Sequence, residues 1–422
     1  MSLESVNSVE TPIFSPVSDQ SWSSLPTWID ENTGRRIWQV TDSLEGAGVG
    51  YFRNFKHLPD GRMLITLRGE KGKGMMGGKM AAANPATGEV EALEHPGHYL
   101  KLRISDGQAW FLKRPKDFKM PEIVAAVDRE FWRRGPRDLW TVSLPYGEPQ
   151  FVAEIPEEIA RHVSDVTCDG STLILEERHV EKVDSPIGSS EVEKLWAHFK
   201  RKRNGAIYAY DIATQTKRTL TETQDVTTFH ADSSPVDPTL VRYAHDMLEC
   251  TGQRMFTVRT DGSDLHPIRV QEFGEMITHE FWWGDPNFIG YTYQDRRGDE
   301  TVYELPWSEY SPVKTRLGVA NLAGEEVFLS DPLNSYHSHL NVSRRGDMVC
   351  GEGTDGNSFV FAAPFSFDNT KVDFQALATI HTPYHPMSGQ NVNSDFSADS
   401  KWLLFNDLID GKMQVCRVQI DL

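Results

Sequence analysis

His57-Leu58-Pro59-Asp60-Gly61, followed almost at once by Met63-Leu64-Ile65, decides the fold, because its pattern of turn and apolar strand keeps returning. Ser105-Asp106-Gly107 precedes Ala109-Trp110-Phe111, and Cys168-Asp169-Gly170 precedes Leu173-Ile174-Leu175. Pro235-Val236-Asp237-Pro238 leads to Leu240-Val241-Arg242-Tyr243, and Trp283-Gly284-Asp285-Pro286 to Ile289-Gly290-Tyr291. Arg345-Gly346-Asp347 opens onto Met348-Val349-Cys350, and Phe396-Ser397-Ala398-Asp399-Ser400 onto Trp402-Leu403-Leu404-Phe405. Seven copies of one unit in a chain of 422 residues indicate a repeat architecture.

A second hairpin signature lies between copies: Asn84-Pro85-Ala86-Thr87-Gly88, Tyr210 to Thr216, and Arg259-Thr260-Asp261-Gly262-Ser263. Turn residues between β-branched and aromatic runs fit antiparallel hairpins. Two hairpins per unit make a four-stranded sheet, and seven such sheets set radially make an all-β, seven-bladed β-propeller. Thr33 to Thr41 reads as a lone first strand, and Met413 to Ile420 as a last strand lacking its hairpin partner. Pairing the two termini would close the ring and leave no open edge. Residues 1–25, rich in Ser, Pro and acidic side chains, read as a loose arm before one propeller domain over 26–422. Ser190 to Lys200 has the composition of a short helical insertion.

Composition narrows the partners. The net charge of -18 argues against a nucleic-acid backbone, which needs a basic face. No run of eighteen apolar residues exists, so no membrane span is expected. The leader lacks the basic and apolar regions of a secretion signal. The four cysteines, Cys168, Cys250, Cys350 and Cys416, form no CxxC pair, which suits a reducing cytoplasm. A small acidic substrate stays compatible with this charge, because local basic clusters outweigh net charge inside a cleft. Two clusters qualify: Arg129, Arg133, Arg134 and Arg137, then Lys200-Arg201-Lys202-Arg203. A solvated charged loop is the plain alternative for the second. The sequence leaves the oligomeric state open.

Propellers place their sites at one mouth of the central channel, which draws attention to His230, His245, His279, His337 and His339. His230 and His245 read first as histidines hydrogen-bonded to their neighbours. Tyr336-His337-Ser338-His339-Leu340 is sharper, because period-two alternation on a strand points both rings one way. Ser388-Gly389-Gln390-Asn391-Val392-Asn393-Ser394-Asp395 gathers oxygen donors ahead of the last unit. With one imidazole, such oxygens favour manganese, calcium or magnesium over zinc. An Asx-rich turn is the alternative.

These residues, in this order, resemble the oligogalacturonate lyase family, seven-bladed propellers of pectin breakdown. Its R-M-W hairpin is matched by Gln253-Arg254-Met255-Phe256, and its G-E-x-x-x-H-E-F-W block by Gly274-Glu275 through His279-Glu280-Phe281-Trp282. Its S-H-L is matched by Ser338-His339-Leu340, and its opening strand by Trp28 through Asp42. The resemblance implies that His279 is the proton-abstracting base and Arg254 its electrostatic partner. It implies a manganese-type divalent cation at His339 and Gln390, with calcium the alternative. The family's two terminal histidines fall on Asn393 and Asp395 when Gln390 anchors the alignment, and on Asn391 and Asn393 when Phe396 does. His337, Lys200, Arg201 and Arg203 are the candidate substrate contacts.

The expected activity is metal-assisted β-elimination on 4-linked uronate oligosaccharides. One rival is a lyase acting on another linkage, such as a rhamnosyl-glucuronate, with calcium. The other is a non-catalytic propeller that serves as an interaction platform.

Overall fold

The structure, a computed structural model, describes residues 25–43, 46–50, 56–68, 78–96, 99–116, 135–181, 203–246, 252–298, 314–334, 336–354, 358–381 and 392–422. The expected arm and the helical insertion at Ser190 to Lys200 lie outside them. Among the described residues the chain forms seven antiparallel sheets, six of four strands and one of five. This is the seven-bladed propeller that the repeats indicate.

The blades follow their innermost strands in chain order. These are Ala47–Val49, Lys101–Arg103, Val163–Val166, Thr227–Ser233, Glu275–Trp282, Tyr336–Val342 and Asp395–Phe396. Each repeated turn joins an inner strand to the second strand of its blade, and the turn has one chemistry. Asp60, Asp106, Asp169, Asp237, Asp285 and Asp399 each accept the backbone N–H two residues on, at 2.9–3.2 Å. An aspartate that caps its own turn in this way reverses the chain without help from the core, so the motif repeats legibly. Blade six uses a variant in which the Ser343 hydroxyl donates to Asp347 Oδ1 at 2.7 Å.

Packing between blades supplies the core. Phe281, Trp283, Leu317 and Val319 of blade five bury against Leu340, Val349 and Phe361 of blade six. Middle strands are covered on both faces: the six central residues of Lys412–Gln419 are all buried. That buried run is mostly apolar but includes Gln414 and Arg417, so it does not alternate as a half-exposed strand does.

Closure uses both termini. Arg36–Gln39 pairs with Lys412–Gln419, in the register Ile37 with Val418 and Gln39 with Cys416. The opening segment holds two strands, not one, because Thr27–Ile29 adds a fifth, outermost strand against Arg36–Gln39. Thr41 Oγ1 donates to Gln414 Oε1 at 2.8 Å across the seam. No helix of the described residues is long and apolar enough to cross a membrane.

Candidate functional site

Four successive inner strands are interrupted at one place. In blade four Phe229 pairs with Ala244 and Asp232 with Arg242, so His230 and Ala231 together oppose Tyr243. In blade five His279 and Glu280 oppose Tyr291 between the pairs Thr278–Thr292 and Phe281–Gly290. In blade six His339 and Leu340 oppose Gly351. In blade seven Asn406 N–H reaches Val392 O and Asp395 pairs with Leu404, which leaves Asn393 and Ser394 against Phe405.

The first residue of each pair has a left-handed backbone: φ is 56° at His230, 52° at His279, 42° at His339 and 49° at Asn393. A bulge bends the strand and re-aims a side chain, and Asn and His tolerate positive φ better than most residues. Each such conformation costs about 1–3 kcal/mol and persists only where its surroundings enforce it. Four in register make a site.

The rings of His279 and His339 lie edge to face, 4.5 Å between centroids. Ser338 Oγ is 3.2 Å from His279 Nδ1. In the tautomer whose Nδ1–H donates to that hydroxyl, Nε2 carries the lone pair of a base. Burial first, then the charges of His339 and Arg254, push the His279 imidazole well below its ordinary range. It is neutral near pH 7, as a base must be.

Glu280, the next residue, is fully buried and faces two arginines and an imidazole. Arg254 Nε approaches Oε2 at 2.9 Å, His230 Nδ1 approaches Oε1 at 3.2 Å, and Arg242 Nη1 approaches Oε1 at 3.4 Å. Burial alone would raise this carboxyl, but Arg254, His230 and Arg242 outweigh it and hold it well below the usual carboxylate range. Arg254 stands one residue ahead of strand Met255–Arg259, and its carbonyl accepts from His245 N–H at 2.8 Å. The hairpin arginine and the block histidine, distant in sequence, thus share one carboxylate neighbourhood.

Glu352 links blades six and seven. It faces His339 Nδ1 through Oε1 and accepts Asn393 N–H through Oε2 at 3.1 Å. Asn393 is buried, and its Oδ1 has no hydrogen-bond partner among the described residues. Asp395 is held elsewhere: Oδ2 takes Lys56 Nζ at 2.8 Å and Oδ1 takes the N–H of Phe396. Among the described residues no three His, Cys, Asp or Glu converge as a metal set. Gln390, Lys200 and Arg201 lie outside the described residues. Arg203 is buried at the start of strand Arg203–Asp211, opposite Val180.

The alternation argument for His337 needs correction. His337 pairs with Gly353, but the bulge begins after Ser338. Period two is broken at His339, so strict alternation does not run through this strand. His245 is as plain as expected: it packs against Phe256 at 4.3 Å, and burial lowers its imidazole to about 4. His230 is not, since it faces the central carboxylate. Arg242 and Glu352 carry no sequence signal of their own, because their partners come from other strands, and the motifs that contain Glu280 and Ser338 do not show what those two side chains meet.

This seven-bladed propeller sets a buried neutral imidazole, an arginine and a shared carboxylate side by side, the groups that acid–base chemistry needs. No family model and no curated protein matches the chain. Solved structures do. The chain has the fold of an oligogalacturonate lyase in complex with manganese, at 17% identity and a TM-score of 0.63, with 94% of this chain and 96% of that one covered. It is equally similar to the oligogalacturonate lyase of Vibrio parahaemolyticus, at 18% identity and a TM-score of 0.64, with the same coverage.

Proposed function

We propose that this chain is a carbon–oxygen lyase that cleaves 4-linked uronate oligosaccharides by β-elimination. The observation that carries the reading is His279: a buried imidazole, kept neutral, on a strained bulge beside Arg254. In a 4-linked uronate the C5 hydrogen is acidified by the adjacent carboxylate. His279 Nε2 takes that proton, electrons move toward the carboxylate, and the C4–O bond breaks as the C4=C5 double bond forms. Arg254, fixed by Glu280, supplies positive charge where the enolate-like charge grows. The likeness to oligogalacturonate lyases supports galacturonate oligosaccharides as substrate. The buried free thiols Cys168, Cys350 and Cys416 fit a cytoplasmic setting.

A manganese-bound relative raises the question of a cation here, and the residues present fit one. Glu352 faces His339 through Nδ1, the usual outer-shell arrangement, so Nε2 would be the nitrogen offered to a cation. The buried Oδ1 of Asn393, without a hydrogen-bond partner among the described residues, is a ready oxygen donor. When bound, a divalent cation would neutralise the substrate carboxylate and favour the enolate-like state. The amide oxygen at Asn393, in the register of the bulge histidines, also favours a second reading: a calcium-dependent lyase for another uronate linkage.

The test is ultraviolet absorbance of the conjugated product on digalacturonate and on other uronate disaccharides, with metal-stripped protein reloaded with manganese or calcium. His279→Asn, which suits positive φ, should lower turnover by about two to four orders of magnitude. A variant that keeps wild-type turnover, or a wild type inert on every uronate, overturns the reading.

A further inference from the structure

β-Elimination also needs a route for the 4-oxygen, which otherwise departs as a strongly basic alkoxide. His279 accounts only for the proton at C5. His230 stands at the matching bulge of the neighbouring blade, with nearly the same backbone, φ 56° against 52°. Its Nδ1 faces Glu280, the residue that follows His279, so one carboxylate ties the two histidines to a common frame. The imidazole keeps 13% exposure, while the carboxylate behind it has none. The ring is therefore not sealed off as the carboxylate is.

Resting on the lyase reading, we infer that His230 is the general acid: its Nε2–H protonates the glycosidic 4-oxygen as His279 removes the C5 proton. C5–H and C4–O break, C4=C5 forms, and the oxygen leaves as a hydroxyl. His230 ends neutral and His279 protonated, and exchange of one proton with solvent restores both. The groups around His230 serve this role. Glu280 stabilises the cationic ring by direct contact. Arg242 and Arg254 share that carboxylate, and Arg178 lies over Phe229, whose ring packs on His230 at 3.7 Å.

The experiment compares a 4-linked uronate disaccharide with a 4-O-nitrophenyl uronate, whose leaving group needs no proton. His230→Asn is the variant, because Asn393 already holds positive φ at the equivalent bulge. Turnover of the disaccharide should fall about 10²–10⁴-fold. The same variant should stay within a few-fold of wild type on the nitrophenyl substrate and lose the alkaline limb of its kcat/KM profile. His279→Asn should lose both substrates. Equal loss on both by His230→Asn, or loss on neither, overturns the assignment of the acid while leaving the lyase reading standing. A wild type inert on both substrates overturns the two together.

Discussion

His279 shows how one residue joins stability to chemistry. Its neutral state is enforced by burial, and so is that of His245, lowered to about 4. The unfolded chain binds protons on both rings below the ordinary value of 6.5 while the folded chain refuses them, so stability must fall as pH drops through that value. Asp165 works in the opposite direction: burial raises it to about 6, so folding favours its protonated form in mild acid. His162, also lowered by burial, adds to the loss, so three histidines stand against one carboxyl. The urea midpoint should fall between about pH 7 and pH 5, and His279→Asn with His245→Phe should flatten or reverse that slope. An unchanged slope would mean that neither ring is held neutral. The sequence exposed His279 through the block around it, but that block mixes two jobs. Glu275 is scaffold, accepting from the Tyr293 hydroxyl at 2.9 Å and from Arg269. Glu280 is the centre of the site, and nothing in the local sequence separates the two glutamates. Only the arrival of Arg254, Arg242 and His230 from another blade does.

Elements divide the same way. The turns were legible because each is closed by its own aspartate, a contact over two residues that a sequence displays. The bulges were not, since an extra residue on one strand is defined only against its partner strand. His230, His279 and His339 therefore looked like ordinary strand positions, and the alternation drawn through His337 and His339 failed at the bulge. Closure lay between these cases: the first strand was readable, while its outer companion Thr27–Ile29 has too few residues to announce itself. The seam also concentrates stability. Ile37 is buried among Phe396, Phe405 and Val418, so Ile37→Ala should cost about 2–5 kcal/mol in urea unfolding. Phe151→Ala, on an exposed outer strand, should cost less than about 1 kcal/mol beside it. Equal effects would show that the terminal strands do not hold the ring shut.

Across the molecule, buried charges form a belt around the channel. Lys101 of blade two meets Asp165 of blade three at 2.7 Å and Asp232 of blade four at 3.1 Å. Asp232 meets Arg242 at 2.9 Å, and Arg242 meets Glu280 of blade five. Ser338 carries the contact from blade five to blade six, Glu352 from six to seven, and Lys56 to Asp395 from one to seven. All of these contacts except Asp232 to Arg242, which lies within blade four, cross a boundary between blades, so the belt fixes how the blades rotate about the axis and holds the four bulges in register. A propeller core of interchangeable apolar strands does not specify that register by itself. Breaking a buried pair from one side leaves its partner uncompensated, which costs about 3–5 kcal/mol. Lys101→Met should lose that amount at neutral pH, because Asp165 then stays buried as a lone carboxylate. Adding Asp165→Asn, which can still accept from the Ser233 N–H at 2.7 Å, should recover about 1–3 kcal/mol of it. Since the folded state raises the Asp165 carboxyl to about 6 even with Lys101 beside it, the single variant should also regain stability as pH falls toward that value. Urea unfolding of the two variants at neutral and mildly acidic pH decides the matter. Strict additivity with no pH recovery would mean that the belt only fills space, and that the register of the site is set by the apolar packing after all.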